Sequence, residues 1–331
     1  MELNQKNQSS LLVTGATGFI ASHLLPILQQ QGWEITAAVR NNFSQITTRP
    51  MKIIKIGEID GKTNWKKALQ GINIVIHLAA RAHILAEEIP NPEAEFMRVN
   101  TEGTANLVKQ SIEAGVKQFI FISSIGAMAS FSEKILTENE SCQPDSPYGV
   151  SKLKAETALI QQAKNSKMSW TIFRPTLVYG PGNPGNMERL MKLVKLGLPL
   201  PFGGIKNRRS LIYVENLVQA IAHSLNHPQA ANQTFLLRDS QDISTPELIL
   251  KIAQKMQKPC QLLPLPPNIL KLLGDLGDIG EKLSQKNLPL NSYTINRLLG
   301  SLFVDSSHIQ NTLKWYPPFT IDYGIEKTIQ P

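Results

Sequence analysis

The 331 residues carry 34 Lys and Arg against 26 Asp and Glu, a net charge of +8, with 42% hydrophobic residues; such a chain can bury a sizeable core, and neither a disordered nor a fibrous protein has this balance. Two distant cysteines, Cys142 and Cys260, exclude a disulfide framework and point to a reducing compartment, and the dispersed Lys and Arg without interleaved aromatics argue against a nucleic-acid surface. The polar opening "MELNQKNQSS" lacks the apolar stretch of a signal peptide and no run of about 18 apolar residues exists, so a cytoplasmic protein without a membrane span is expected.

In chain order, "SSLLVTG" (9–15) reads as a strand and 19–31 as a helix ending near Gly32. "EITAAV" (34–39), "MKIIKI" (51–56), "INIVIHLAA" (72–80), "KQFIFISS" (117–124) and "SWTIFRP" (169–175) read as five further strands. Their apolar runs are continuous rather than alternating, as parallel strands covered on both faces require. Between the fourth and fifth strands, Phe96, Val99, Gly103 and Leu107 mark one face of a long helix. Alternating strand and helix predicts an α/β fold with an open, doubly wound parallel sheet of the Rossmann type. Past residue 180 Pro and Gly thicken; "SLIYVENLVQAIAHSL" (210–225) then returns to strand and helix. "STPELILKIAQKM" (244–256) opens with a capping box, Ser244 with Glu247, and "PLPP" (264–267) breaks the chain. The expected organisation is a nucleotide-binding domain over 1–180 plus about 211–240, with a smaller C-terminal lobe from 181–210 plus 241–331.

"TGATGFIA" (14–21) follows the first strand and opens the first helix. Gly15 and Gly18 permit a tight turn and close approach of backbone to a pyrophosphate. The helix N-terminus supplies N–H donors and a positive dipole end, and Ala21 is small enough for close packing of helix on strand. The pattern in this setting points to a dinucleotide. An acidic residue ending the second strand would bond the 2′-hydroxyl of NAD, whereas an arginine accommodates a 2′-phosphate. Here the strand ends "AAVRNN" (37–42), with Arg40 in the zone and no Asp or Glu expected nearby. NADP(H) is therefore the expected cofactor, with NAD(H) the other candidate.

"YGVSK" (148–152) places Tyr148 and Lys152 four residues apart at the start of a helical pattern, on one helical face. An ammonium beside a phenol favours the phenolate and would let Tyr148 trade protons below its ordinary pKa of about 10. Taken alone, the pair reads as a half-buried aromatic beside a solvated lysine, and the rest of the chain decides.

The glycine loop, "HLAA" (77–80), "SS" (123–124), "YGVSK" and "RPTLVYGPG" (174–182), in this order, resemble the extended short-chain dehydrogenases/reductases over nearly the whole length. These form the NAD-dependent epimerase/dehydratase family. "GLPLPFGGIKNRRSLIYVENL" (197–217), "STPELI" (244–249) and "RLLGSLFVDSSHI" (297–309) are similar to a narrower group of bacterial reductases of UDP-4-keto-6-deoxy-N-acetylglucosamine. Many members of that group are labelled UDP-glucose 4-epimerases.

The resemblance implies that Tyr148 is the catalytic acid/base. It implies that Lys152 lowers the tyrosine's pKa and holds the nicotinamide ribose, and that Ser124 hydrogen-bonds the reacting oxygen. Gly15, Thr17, Gly18, Phe19 and Ile20 match the pyrophosphate loop. Glu58 and Ile59 stand where the family has an Asp–apolar pair beside adenine, so Glu58 is a departure. Leu78, Ala79 and Ala80 line the cofactor, Pro175 and Thr176 flank the nicotinamide, and Ser123 is a cofactor-side or structural residue. Asn100 matches the asparagine that interrupts the long helix near the lysine. For a UDP-sugar, Asn186, Leu200 and Phe202 match positions around uracil and Arg209 one on the diphosphate, with Arg297 a second arginine whose surroundings, "RLLGS", depart from the family's Gly–Asp. Arg208 reads as a solvated charge.

Ile125 and Gly126 follow Ser124 where 4,6-dehydratases of this family carry Asp–Glu, which argues against dehydration. No H-E-x-x-H, Cys/His cluster or G-x-S-x-G suggests a metal site or a hydrolase. The expected function is an NAD(P)H-dependent reductase of the C4 ketone of a UDP-sugar, in nucleotide-sugar and surface-polysaccharide biosynthesis. Its rivals are an NAD-dependent UDP-hexose 4-epimerase and a non-catalytic NADP(H)-binding scaffold or redox sensor. The homodimers common among relatives make a homodimer the expected assembly.

Overall fold

The computed structural model describes residues 9–41, 51–82, 91–183, 185–284 and 291–330, without the side chains of Asn186, Tyr293 and residues 282–284. The central sheet holds β1 (Ser10–Thr14), β2 (Glu34–Val39), β3 (Lys52–Lys55), β4 (Ile74–His77), β5 (Gln118–Ile122), β6 (Ser169–Pro175) and β9 (Gln233–Leu237). All pairs are parallel and the order is β3-β2-β1-β4-β5-β6-β9. A small sheet of β7 (Leu177–Tyr179), β8 (Arg209–Tyr213) and β10 (Asp242–Ile243) starts directly beyond the carboxyl end of β6. Beyond residue 207, β8 joins the small sheet and β9 the edge of the main one.

The helices are α1 (Phe19–Gln30), α2 (Pro92–Phe96), α3 (Gly103–Glu113), α4 (Pro147–Ala163), α5 (Asn186–Lys195), α6 (Val214–Ser224), α7 (Thr245–Lys255), α8 (Pro267–Ser284), α9 (Ser292–Leu299), α10 (Ser307–Leu313) and α11 (Ile321–Ile329). Successive residues of a strand face opposite sides of the sheet. Leu11 and Val13 of β1 enter the core cluster that includes Leu24 and Leu28 of α1 and Leu217 of α6, while Leu12 enters the one containing Leu107 of α3 and Leu159 of α4. Both sheet faces are therefore covered, which explains the continuous apolar runs. The capping box of Ser244 and Glu247 forms as expected, and Pro267, last of the "PLPP" run, opens α8. No helix among the described residues is long and apolar enough to cross a membrane.

Chain order turns back between β1 and β4: β2 and β3 lie to one side of β1, and β4, β5 and β6 to the other. Such a reversal opens a crevice at the strands' carboxyl ends, where open α/β sheets take their ligands.

A buried carboxylate ties the C-terminal segment to this frame. Asp239, just after β9, accepts hydrogen bonds from the Tyr213 N–H (3.0 Å), Asn216 Nδ2 (2.7 Å) and the Tyr179 hydroxyl (2.9 Å). Asn216 in turn brackets Phe319, accepting from its N–H and donating to its carbonyl, both at 2.9 Å. Burial pushes Asp239 up to about 6, against the pull of these donors. A carboxyl whose folded pKa lies above its unfolded one stabilises most below the unfolded value, and that contribution is lost as pH rises through the folded value. Relative to Asp239→Asn, the wild type should thus lose stability between about pH 4 and pH 6. Urea unfolding at several pH values checks this, and parallel curves for the two proteins would refute it.

Candidate active site

The loop after β1 meets the requirements of a phosphate cradle. Gly15 has φ +66°, in the left-handed region, and a Cβ there would stand 2.7 Å from the Ala79 nitrogen. Only glycine allows the two chain crossings at the β1–β4 crevice to come this close. Gly18 begins α1 without a side-chain cap, its N–H donating to the Gly15 carbonyl at 2.9 Å. The first-turn amides of Phe19 and Ile20 therefore face no capping side chain, which suits an anion. Thr17 is exposed, and Leu78, Ala79 and Ala80 continue from β4 along the same crevice. These residues fit a dinucleotide pyrophosphate.

The catalytic candidates converge at the carboxyl end of β5. Ser124 caps a short 3-10 turn, Ile125–Ala127, accepting from the Gly126 N–H at 3.0 Å, and lies beside Tyr148: a Cβ at Gly126 would meet the Ser124 hydroxyl at 3.3 Å and the Tyr148 ring at 3.8 Å. Tyr148 sits in the first turn of α4, behind Pro147 and a Ser146 cap that accepts from the Gly149 N–H at 3.1 Å. Lys152, one turn on, is 1% exposed. Its Nζ donates to the Ile122 carbonyl at 2.6 Å and lies 4.1 Å from the centre of the Phe121 ring.

The electrostatics differ from the sequence expectation. Burial pushes the Tyr148 phenol up to about 12, with Ser124 pulling the other way, and Lys152 does not lower it. The reason is that Lys152 is itself sealed: burial drives it down to about 7 against the pull of Glu156, so its charge is incomplete near neutrality. His77, at the end of β4, bonds Thr14 at 2.6 Å and Thr104 at 3.0 Å; burial and then Lys152 hold it neutral, at about 3.

Asn100 interrupts the long helix as expected, inside a π-helical turn, Met97–Glu102. It accepts from the Arg81 N–H (2.8 Å) and donates to the Arg81 carbonyl and Ser151 Oγ (both 3.0 Å), so its partners are backbone and Ser151 rather than the Lys152 ammonium.

At the adenosine end, the expectation of no carboxylate beside Arg40 fails in space. β3 pairs with β2, so Glu58, eighteen residues on, reaches the end of the second strand and lies 3.4 Å from Arg40. Ile59 packs against α3, where a Cβ at Gly103 would meet it at 2.6 Å. Ser123, matched to the cofactor side, turns its hydroxyl away to Glu156. Pro175 ends β6, and Thr176 bonds the Leu237 carbonyl through its N–H (3.0 Å) and hydroxyl (3.1 Å).

The residues matched to a UDP-sugar fall on α5, the segment between α5 and β8, the start of β8, and α9. Leu200 and Phe202 are buried in the main core, so their side chains pack rather than line a surface. Asn186 opens α5, and its side chain lies outside the described residues. Arg209 is part-buried, bonded to the carbonyls of Arg297 (2.9 Å) and Gly300 (3.0 Å), with no ion pair among the described residues. Burial and then Arg297 push it down to about 10. Two arginine guanidinium groups at one place suit a diphosphate. Arg208 instead pairs with Asp242 at 2.7 Å and covers the Phe303 ring, apart from the site.

Sequence reasoning passed over two features. Glu156 and Arg174 form a buried ion pair beneath Lys152, signalled in sequence only by Glu156 lying four residues after the lysine. Gly149 lies where α4 crosses the 3-10 turn: a Cβ there would stand 2.1 Å from the Gly126 carbonyl oxygen.

The chain matches the NAD dependent epimerase/dehydratase family over residues 11–237. It is 40% identical to a UDP-glucose 4-epimerase of Vibrio cholerae, over 99% of this chain and 96% of that one. It is 27% identical to an N-acetyl-alpha-D-glucosaminyl-diphospho-ditrans,octacis-undecaprenol 4-epimerase of Escherichia coli O157:H7, over 97% and 94%. In fold it is similar to MoeE5, solved in complex with UDP-glucose and NAD, with TM-score 0.76, 22% identity and 97% and 98% of the two chains covered.

The close crossing at Gly149 has a measurable consequence. Alanine is the better helix former by about 1 kcal/mol, yet Gly149→Ala should destabilise the protein by about 1–3 kcal/mol through overpacking against Gly126. Urea unfolding decides between them: a more stable variant would mean that α4 is not seated on that carbonyl.

Proposed function

The chain belongs to the NAD dependent epimerase/dehydratase family, and from that premise we propose that it is an NAD-dependent 4-epimerase of UDP-hexoses. The observation that carries this reading is the full-length likeness to the Vibrio cholerae 4-epimerase, in a chain that brings Ser124, Tyr148 and Lys152 together. The sequence alone favoured C4-ketone reduction, and the relatives support the epimerase alternative better.

The cofactor choice shifts with it. Arg40 suggested NADP(H), but the Glu58 carboxylate 3.4 Å from that guanidinium would repel a 2′-phosphate and can accept from a ribose hydroxyl. NAD is the better match.

In this reading the α1 N-terminus and the Gly15–Ile20 loop hold the pyrophosphate, Lys152 holds the nicotinamide ribose, and Leu78, Ala79, Pro175 and Thr176 border the ring. The bound nucleotide supplies a hydride acceptor and, when oxidised, a positive charge that favours the Tyr148 phenolate. Tyr148 then accepts the proton of the sugar's C4 hydroxyl as that carbon gives up hydride, and Ser124 donates to the oxygen that becomes the ketone. After the 4-ketose turns over, Tyr148 returns the proton as hydride comes back on the other face. The lobe over 181–210 and 241–331 receives UDP, with Arg209 on the diphosphate.

The purified protein should carry NAD and interconvert UDP-glucose and UDP-galactose, or their N-acetylamino counterparts. Tyr148→Phe should retain the nucleotide and lower turnover by about two to four orders of magnitude. Arg209→Ala should weaken UDP binding by about 1.5–3 kcal/mol with NAD binding unchanged, read by calorimetry. An empty protein that prefers NADPH and reduces a UDP-4-ketosugar would replace this reading with the reductase one.

A further inference from the structure

We propose that Glu156 is a positioning residue for catalysis: acting through Ser123, it sets the end of β5 so that Ile122 meets Lys152 and Ser124 meets Tyr148. This rests on the function proposed above for the reacting groups, and on geometry for the rest.

Tyr148, Lys152 and Glu156 recur at intervals of four along α4 and so share one face of the helix. Their partners are three consecutive residues of one strand end. The Tyr148 side chain lies beside Ser124, Lys152 donates to the Ile122 carbonyl at 2.6 Å, and Glu156 accepts from the Ser123 hydroxyl. The helix and the strand end thus meet through three rungs. The two outer partners on the strand end serve the catalytic groups, and the middle one is held by Glu156.

The Glu156 rung is built to be stiff. Its carboxylate is 2% exposed and accepts from Arg174 of the adjoining β6 at 3.1 Å and 3.2 Å from Nε and 2.5 Å from the terminal nitrogen. The Ser123 N–H donates to the Phe173 carbonyl at 2.8 Å, so residue 123 is gripped by its backbone from β6 and by its side chain from α4. An ion pair serving only to fasten α4 to β6 would need no serine. The Ser123 hydroxyl extends it to the peptide plane next to the one that receives the lysine.

The groups facing Lys152 are accounted for on each side. β4 presents His77, which is neutral; β5 presents the Phe121 ring and the Ile122 carbonyl; α4 presents Glu156, backed by Arg174 of β6. Losing the Glu156 charge, or the alignment of the Ile122 carbonyl, therefore makes the ammonium harder to keep. The alkaline limb of activity should move to lower pH.

The test uses the full chain with its nucleotide. Ser123→Ala leaves the ion pair intact. It should lower kcat about tenfold with KM changed less than about twofold, and should shift the alkaline limb to lower pH, in a protein that stays folded at the assay temperature although its unfolding midpoint falls by the loss of one buried hydrogen bond. Glu156→Gln strands Arg174 and can fail to fold, so the paired Glu156→Leu with Arg174→Met, which removes both charges at similar volume, is the second variant. It should fold and show the same loss of kcat. Wild-type kcat and pH profile in Ser123→Ala, or in the folded double variant, would overturn the proposal. Should the wild type turn over no UDP-hexose, the functional reading fails by itself. The pH dependence of NAD binding then tests the rung: a limb moved to lower pH in Ser123→Ala upholds it, and an unmoved limb overturns it.

Discussion

The ammonium of Lys152 lies inside the protein, and the surrounding structure is arranged around the cost of keeping it there. An unpaired buried ammonium loses its proton rather than its water. Here a carbonyl at the end of β5, the face of Phe121 and the Glu156 carboxylate oppose that loss, and His77 adds no competing charge. The result is a lysine poised near neutrality, sensitive to whatever charge is brought beside it.

That poise requires positional precision, which two close approaches supply. Gly149 lets α4 lie on the Gly126 carbonyl, and Gly15 lets the phosphate loop touch the backbone of Ala79. One contact fixes the proton-handling side chains relative to β5. The other fixes the nucleotide loop relative to β4, the strand hydrogen-bonded beside β5. The rigid parallel sheet carries both in one frame, so neither depends on a long loop.

The sheet, its continuous apolar strands, the glycine loop and the Tyr148–Lys152 pair were legible in the sequence because each is local: a periodicity or a motif within one segment. What escaped was non-local. Glu58 lies eighteen residues from Arg40 and meets it only because β3 pairs with β2. Arg174 finds Glu156 across two elements, and burial reverses the effect that spacing alone suggests for Tyr148. Leu200 and Phe202 matched a ligand-facing pattern but are packed in the core. Spacing along a helix shows which side chains are neighbours, not how much water reaches them.

The π-helical turn at Met97–Glu102 separates what the two ends of one continuous helix can do. A regular α-helix advances about 100° per residue, so a single extra residue within a turn rotates everything before it by that angle relative to everything after. On one side of the turn Phe96 sets its ring edge-on to Tyr148, and on the other Leu107 fills the core beneath the sheet. The register offset acts like a splice between two helices with different allegiances. Removing one residue from the splice would leave the core half seated and swing Phe96 away from the tyrosine, so the length of this segment is as much a part of the site as its side chains.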